Sequence, residues 1–112
     1  MGFRVEIQPQ AFDDLDAIAG YIAAQSSHAI AERWFNAIFE EIYTLSEMPA
    51  RCAVANESAE LGRDVRVLLH GRRNRMYKVY FVINGSSPSG GSVQVLHVRH
   101  WAKKPMSGDE LG

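Results

Sequence analysis

Apolar and polar residues alternate from Phe3 to Gln8, with Phe3, Val5 and Ile7 set against Arg4, Glu6 and Gln8. A period of two predicts a half-buried strand. Pro9 follows, and proline suits the first turn of a helix, where its missing N–H costs nothing. From Ala11 the period lengthens: Ala11, Phe12, Leu15, Ile18, Ala19 and Ile22 fall on one helical face. Asp13, Asp14 and Asp16 lie in the early turns, where the helix dipole favours negative charge. They read as structural rather than metal-binding, because no histidine or further carboxylate shares their face at ligand spacing.

Ser26-Ser27 offers an N-cap for a second helix. Its stripe of Ala31, Trp34, Phe35, Ile38, Phe39, Ile42, Leu45 and Met48 keeps a helical period up to Pro49, which should stop it. Glu32, Glu40, Glu41 and Glu47 lie mostly off the stripe, so the aromatic positions are expected to pack on a sheet. Residues 49–62 carry little pattern and are expected to form a loop.

Three apolar, β-branched segments follow, at Val65–His70, Tyr77–Ile83 and Val93–Val98, and they predict strands. Gly71-Arg72-Arg73-Asn74 predicts a tight hairpin between the first two, and the glycine- and serine-rich stretch Asn84–Ser92 a longer loop between the second pair. Side chains alternate faces along a strand. On that rule Val65, Val67 and Leu69, then Tyr77, Val79, Phe81 and Ile83, then Leu96 and Val98 should face the helices. The opposite faces would then unite Arg66, His70, Lys78, Tyr80, His97 and Arg99 on one open, cationic surface.

The order β-α-α-β-β-β predicts an α+β fold of two layers, with both helices on one face of a mostly antiparallel sheet. Residues 1–102 are expected to form one domain and 103–112, with Lys103-Lys104-Pro105 and two glycines, a mobile tail. No apolar run is long enough to cross a bilayer and no signal pattern opens the chain, so a cytoplasmic location is expected. The single cysteine, Cys52, excludes an internal disulfide and reads as inert, since nothing nearby in sequence would activate its thiol.

Charge changes the picture. The chain carries a net −1, but residues 1–60 hold ten acidic and three basic side chains, whereas residues 61–112 hold three acidic and nine basic. A split of −7 against +6 predicts that the basic half meets an acidic partner: nucleic acid, an acidic protein segment or another copy of the chain.

Leu61-Gly62-Arg63, the run from Arg75 to Ile83 and the ending Val95-Leu96-His97-Val98-Arg99-His100 resemble the ParE/RelE superfamily of bacterial type II toxins. Val5–Ala11 is similar to that family's first strand and turn, and Asp13–Ile22 to its first helix, so the likeness covers roughly residues 3–102. It is nearest the ParE, or plasmid-stabilisation, branch, although Trp101 stands where that ending usually has glycine. The resemblance implies a RelE-like fold and the toxin half of a toxin–antitoxin pair. It further implies inhibition of DNA gyrase by binding, neutralisation by a cognate antitoxin, and no cofactor or metal.

The residues also admit a second chemistry. Cleaving RNA through the ribose 2′-hydroxyl needs an acid, a base and cations around the phosphate. His97, His70 and Tyr80 could move protons while Lys78, Arg66 and Arg99 hold the phosphate. That is the pattern of RelE-like, metal-independent endonucleases acting on ribosome-bound mRNA. Against it stand the slightly acidic net charge and a segment after Trp101 with no group that ionises near neutrality. A diverged, non-toxic antitoxin-binding module is a third reading. For target binding the candidates are Arg72, Arg73, Arg75, Lys78, Arg99, His100 and Trp101. The three hairpin arginines read either as a solvated tip or as a clamp, because the planar guanidinium binds phosphate or carboxylate bidentately.

Overall fold

The alternation at the front of the chain becomes strand β1 (Arg4–Ile7), and Pro9 opens helix α1 (Pro9–Gln25), in a computed structural model that describes residues 2–85 and 90–102. Helix α2 (His28–Tyr43) starts at Ser27, whose side chain accepts the Ile30 N–H at 3.1 Å. Strands β2 (Ala53–Val54), β3 (Arg66–His70), β4 (Tyr77–Asn84) and β5 (Ser92–His100) complete a five-stranded sheet in the order β1-β5-β4-β3-β2, with a one-turn helix α3 (Ser58–Leu61) between β2 and β3. Among the described residues only β1 and β5 pair in parallel; the other pairs are antiparallel. The expected α+β arrangement of two helices on a mostly antiparallel sheet is therefore present. Residues 86–89 of the expected Asn84–Ser92 loop and the whole of the expected tail lie outside the described residues.

The core lies between the helices and one sheet face. Leu15, Ile38, Ile42 and Leu45 meet Val79, Phe81, Val93, Val95 and Val98, all fully or almost fully buried. Truncating any large one of these to alanine would cost about 2–5 kcal/mol.

Several expectations need correction. First, α2 ends at Tyr43, before Pro49, and Met48 is 75% exposed rather than on the buried stripe. The Arg51 guanidinium gathers the carbonyls of Thr44, Glu47 and Met48 and so winds the chain into a 3₁₀ turn after the helix. Second, β3 presents the opposite face from that expected. Leu68 pairs with Val79 and joins the main core, while Leu69 is 49% exposed and Val65 and Val67 belong to a second cluster with Tyr80 and Val82.

Third, a bulge interrupts β5. Tyr80 pairs with His97 and Phe81 with Val95, so Leu96 is the extra residue. The bulge places Leu96 in the second cluster and Val98 in the main core, although the two were expected on one face. Fourth, the second face is not fully open. Residues 55–65 pass over it, pinned by buried Ser58, whose hydroxyl accepts the Val65 N–H at 2.8 Å and donates to the Val65 carbonyl at 2.7 Å.

The turn between β3 and β4 spans 71–76 and contains a 3₁₀ turn at Arg73–Arg75, longer than the four-residue hairpin expected. Gly71 makes it possible: its φ is +95°, and a Cβ there would overlap the Arg75 carbonyl oxygen. Arg73 also has a positive φ, +58°, a conformation that costs a non-glycine residue about 1–2 kcal/mol.

Candidate functional site

The six polar residues expected on one face are divided between the two faces of the sheet. Lys78, Tyr80, His97 and Arg99 share the second face of β4 and β5, where Lys78 pairs with Arg99 and Tyr80, packed in the second cluster, pairs with His97. Tyr80 is only 2% exposed, and its hydroxyl donates to Glu57 Oε2 at 3.0 Å. Burial, and then the neighbouring Glu57 carboxylate, push its pKa up to about 12. A phenol so held keeps its proton throughout the neutral range.

Arg66 and His70 lie on the helix side instead. Arg66 donates to the carbonyls of Ala50 at 3.2 Å and Cys52 at 2.6 Å, fastening β3 to the loop after α2. His70 Nδ1 lies 2.6 Å from Glu41 Oε1 of α2. Their strand is turned over relative to expectation, which is why they leave the group. His97 stays on the second face, and its ring meets α1 at the edge of β5. Beyond Ile7 strand β1 has ended, and α1 takes over the bare edge of β5: Asp14 Oδ2 accepts the Val98 N–H at 2.9 Å and lies 3.2 Å from His97 Nδ1.

Beside the hairpin, the end of β5 forms one wall of a groove of about 1090 Å³, which runs between α1, the start of α2 and the sheet. Tyr21, Ile22, Trp34 and Tyr77 give it an aromatic and aliphatic lining, and Arg33, Arg75 and Arg99 give it positive charge. Trp34 meets Tyr77 edge-on with ring centres 5.2 Å apart, and Tyr77 meets His100 the same way at 5.3 Å. Burial, and then Tyr21, raise the Tyr77 pKa, against the lowering effect of Arg75. The Trp34 Nε1 is buried with no hydrogen-bond acceptor among the described residues.

Of the target-binding candidates, Arg72, Arg73, Arg75 and Trp101 are exposed at this same end, and the Trp101 N–H donates to the Met76 carbonyl at 3.0 Å. His100 faces the groove, and Lys78 and Arg99 sit on the second sheet face, although Arg99 also borders the groove. Reading by sequence missed Tyr21, Arg33, Trp34 and Tyr77 as groove residues, Glu57 as the partner of Tyr80, and Asp14 as the clamp on β5. Trp34 and Tyr77 carry an ordinary core pattern; only Tyr21, a large aromatic off the apolar stripe of α1, gave a signal. Burial raises the Cys52 thiol pKa, more than Arg51 and Arg66 lower it, consistent with an inert thiol. Among the described residues no group of histidine, cysteine or carboxylate side chains could hold a metal ion, and no helix is long and apolar enough to cross a membrane.

The chain belongs to the family of ParE toxins of type II toxin–antitoxin systems (parDE), whose model matches residues 5–105. Its fold is shared by a solved chain of the chromosomal ParDE TA system from P. aeruginosa. The TM-score is 0.68 at 20% identity, over 88% of this chain and 95% of that one. No curated protein matches the chain.

Proposed function

We propose that the chain, with residues 1–102 as its toxin domain, acts in the cytoplasm as the toxin of a parDE pair. It stops growth by binding DNA gyrase, not by cutting RNA. The engagement of its proton-transfer groups within the fold supports this reading. Tyr80 is buried against Glu57, His70 lies on the helix side against Glu41, and His97, although on the face of Lys78 and Arg99, is held by Asp14, so each candidate acid or base is already engaged by a carboxylate. General acid–base catalysis needs such groups within hydrogen-bond reach of one substrate. What stays exposed together is a set of binding groups, Arg72, Arg73, Arg75 and Trp101, and these are the proposed gyrase contacts.

The cognate antitoxin is proposed to lay an acidic, partly apolar segment in the groove. Tyr21, Ile22 and Trp34 would receive its apolar side chains, and Arg33 and Arg75 its carboxylates. The test pairs two assays on the purified chain: gyrase supercoiling, and primer extension on ribosome-bound message. Lost supercoiling with accumulation of cleaved DNA, and no cuts in message, is the expected result. Normal supercoiling with discrete codon-specific cuts would overturn the reading and establish the endonuclease.

A further inference from the structure

We infer that the β3–β4 turn and the end of β5 form a binding surface for single-stranded nucleic acid, with Trp101 stacking on an unpaired base and Arg72, Arg73 and Arg75 holding the flanking phosphates. The inference deepens the reading of this end as the target-binding one, and rests on it.

Register brings the parts together. Tyr77 pairs with His100, so the residues just before Tyr77 and just after His100 lie side by side, and the hydrogen bond from Trp101 to Met76 fixes this junction. Trp101 is 45% exposed, and its nearest ring neighbour, His100, is tilted by 32° with ring centres 6.3 Å apart, so the indole is not stacked on it. Beside it, Arg72, Arg73 and Arg75 are all exposed, and no carboxylate pairs with them among the described residues.

Two features favour nucleic acid over an acidic peptide. Carboxylates would need only the cations, whereas an exposed indole plane among arginines matches the base-stacking, phosphate-holding chemistry by which single strands are bound. Arg73 moreover occupies a left-handed position that glycine or asparagine would fill with less strain. An arginine held there at a cost implies a use for its guanidinium.

The experiment measures anisotropy of a labelled twelve-nucleotide oligo-dT with the purified full chain, across a salt series. Trp101→Ala should weaken binding about tenfold, the scale of one lost base stack, while Trp101→Phe should restore most of it. Replacing Arg72, Arg73 and Arg75 together by alanine should lower the slope of log affinity against log salt by about 2, at about 0.7 per phosphate contact on a single strand. Circular dichroism confirms that each variant is folded. Affinity indifferent to Trp101 would overturn the proposal. So would a duplex bound as tightly as the single strand, or poly-glutamate binding with the same dependence on Trp101, which would make the surface an acidic-peptide site. These measurements contain no gyrase, so oligonucleotide binding can fail or succeed independently of the supercoiling assay.

Discussion

Asp14 of α1 accepts the backbone N–H of Val98 at 2.9 Å, and this bond seals the edge of β5 where β1 runs out. The same carboxylate oxygen lies 3.2 Å from the His97 ring, so one side chain ties helix, strand edge and bulge together. Removing it leaves a donor in a part-buried place without its acceptor, and bonds to charged groups are worth about 1.5–3 kcal/mol. Asp14→Ala is expected to lower the unfolding free energy by about that amount in urea titrations, and Asp14→Asn by less, because its carbonyl oxygen can still accept. An Asp14→Ala protein as stable as the parent would show that the β5 edge needs no clamp.

Tyr80 provides a pH-dependent prediction. Its pKa rises from an ordinary 10.0 to about 12, so the folded state favours the protonated phenol. The stability this contributes is fully present below about pH 10 and is lost as pH rises through about 12. Tyr80→Phe should cost about 1 kcal/mol near neutrality through the lost bond to Glu57 and should flatten the alkaline loss of stability. Tyrosinate absorbance should show the latest-titrating phase disappear in the variant. If all phases persist, the late phenol is another tyrosine.

The segment over the second face should open separately from the core. Ser58 holds Val65 through two hydrogen bonds, and the cluster beneath it is small: Ala55, Val65, Tyr80 and Val82. Local opening takes less free energy where few apolar contacts are lost. Ser58→Ala should therefore speed amide exchange at Ala55 and Val65 while leaving that of Val79 and Val95 unchanged. Equal acceleration at all four would show that segment and core open as one unit.

These three relationships also explain where the sequence was legible and where it was not. Strand β4 could be read because Tyr77, Val79, Phe81 and Ile83 are apolar at every second position and nothing breaks the alternation. Strand β3 could not, since Val65, Val67 and Leu69 compete with Leu68 and either set could face a core; Leu68 joins the main core and Val65 and Val67 the second cluster, while Leu69 is exposed. In β5 a single bulge at Leu96 shifts the alternation, and no local pattern announces it. The exposure of Arg72, Arg73 and Arg75 was legible because charge beside a turn needs no partner to be recognised. The histidines were not, because His70 and Glu41 are 29 residues apart in sequence and His97 and Asp14 are 83 apart. Which carboxylate meets which imidazole is decided by helix placement on the sheet.

Toxicity and folding should separate at three positions of the sheet. Val98 is 2% exposed in the main core, and Val98→Asp should prevent folding, since a buried, unpaired carboxylate costs several kcal/mol against a total stability of about 5–15 kcal/mol. Arg66 donates to the Ala50 and Cys52 carbonyls, so Arg66→Ala should lower the melting temperature yet leave growth arrest intact below it. Arg99 pairs with Lys78 on the second sheet face and also borders the groove at the target-binding end. Arg99→Ala should fold, accumulate and melt cooperatively while releasing cells from growth arrest. Induced expression without antitoxin, scored by colony counts beside soluble protein levels and melting curves, distinguishes the three. A well-folded, fully toxic Arg99→Ala protein would remove Arg99 from the mechanism and leave the hairpin arginines and Trp101 as the contacts to test.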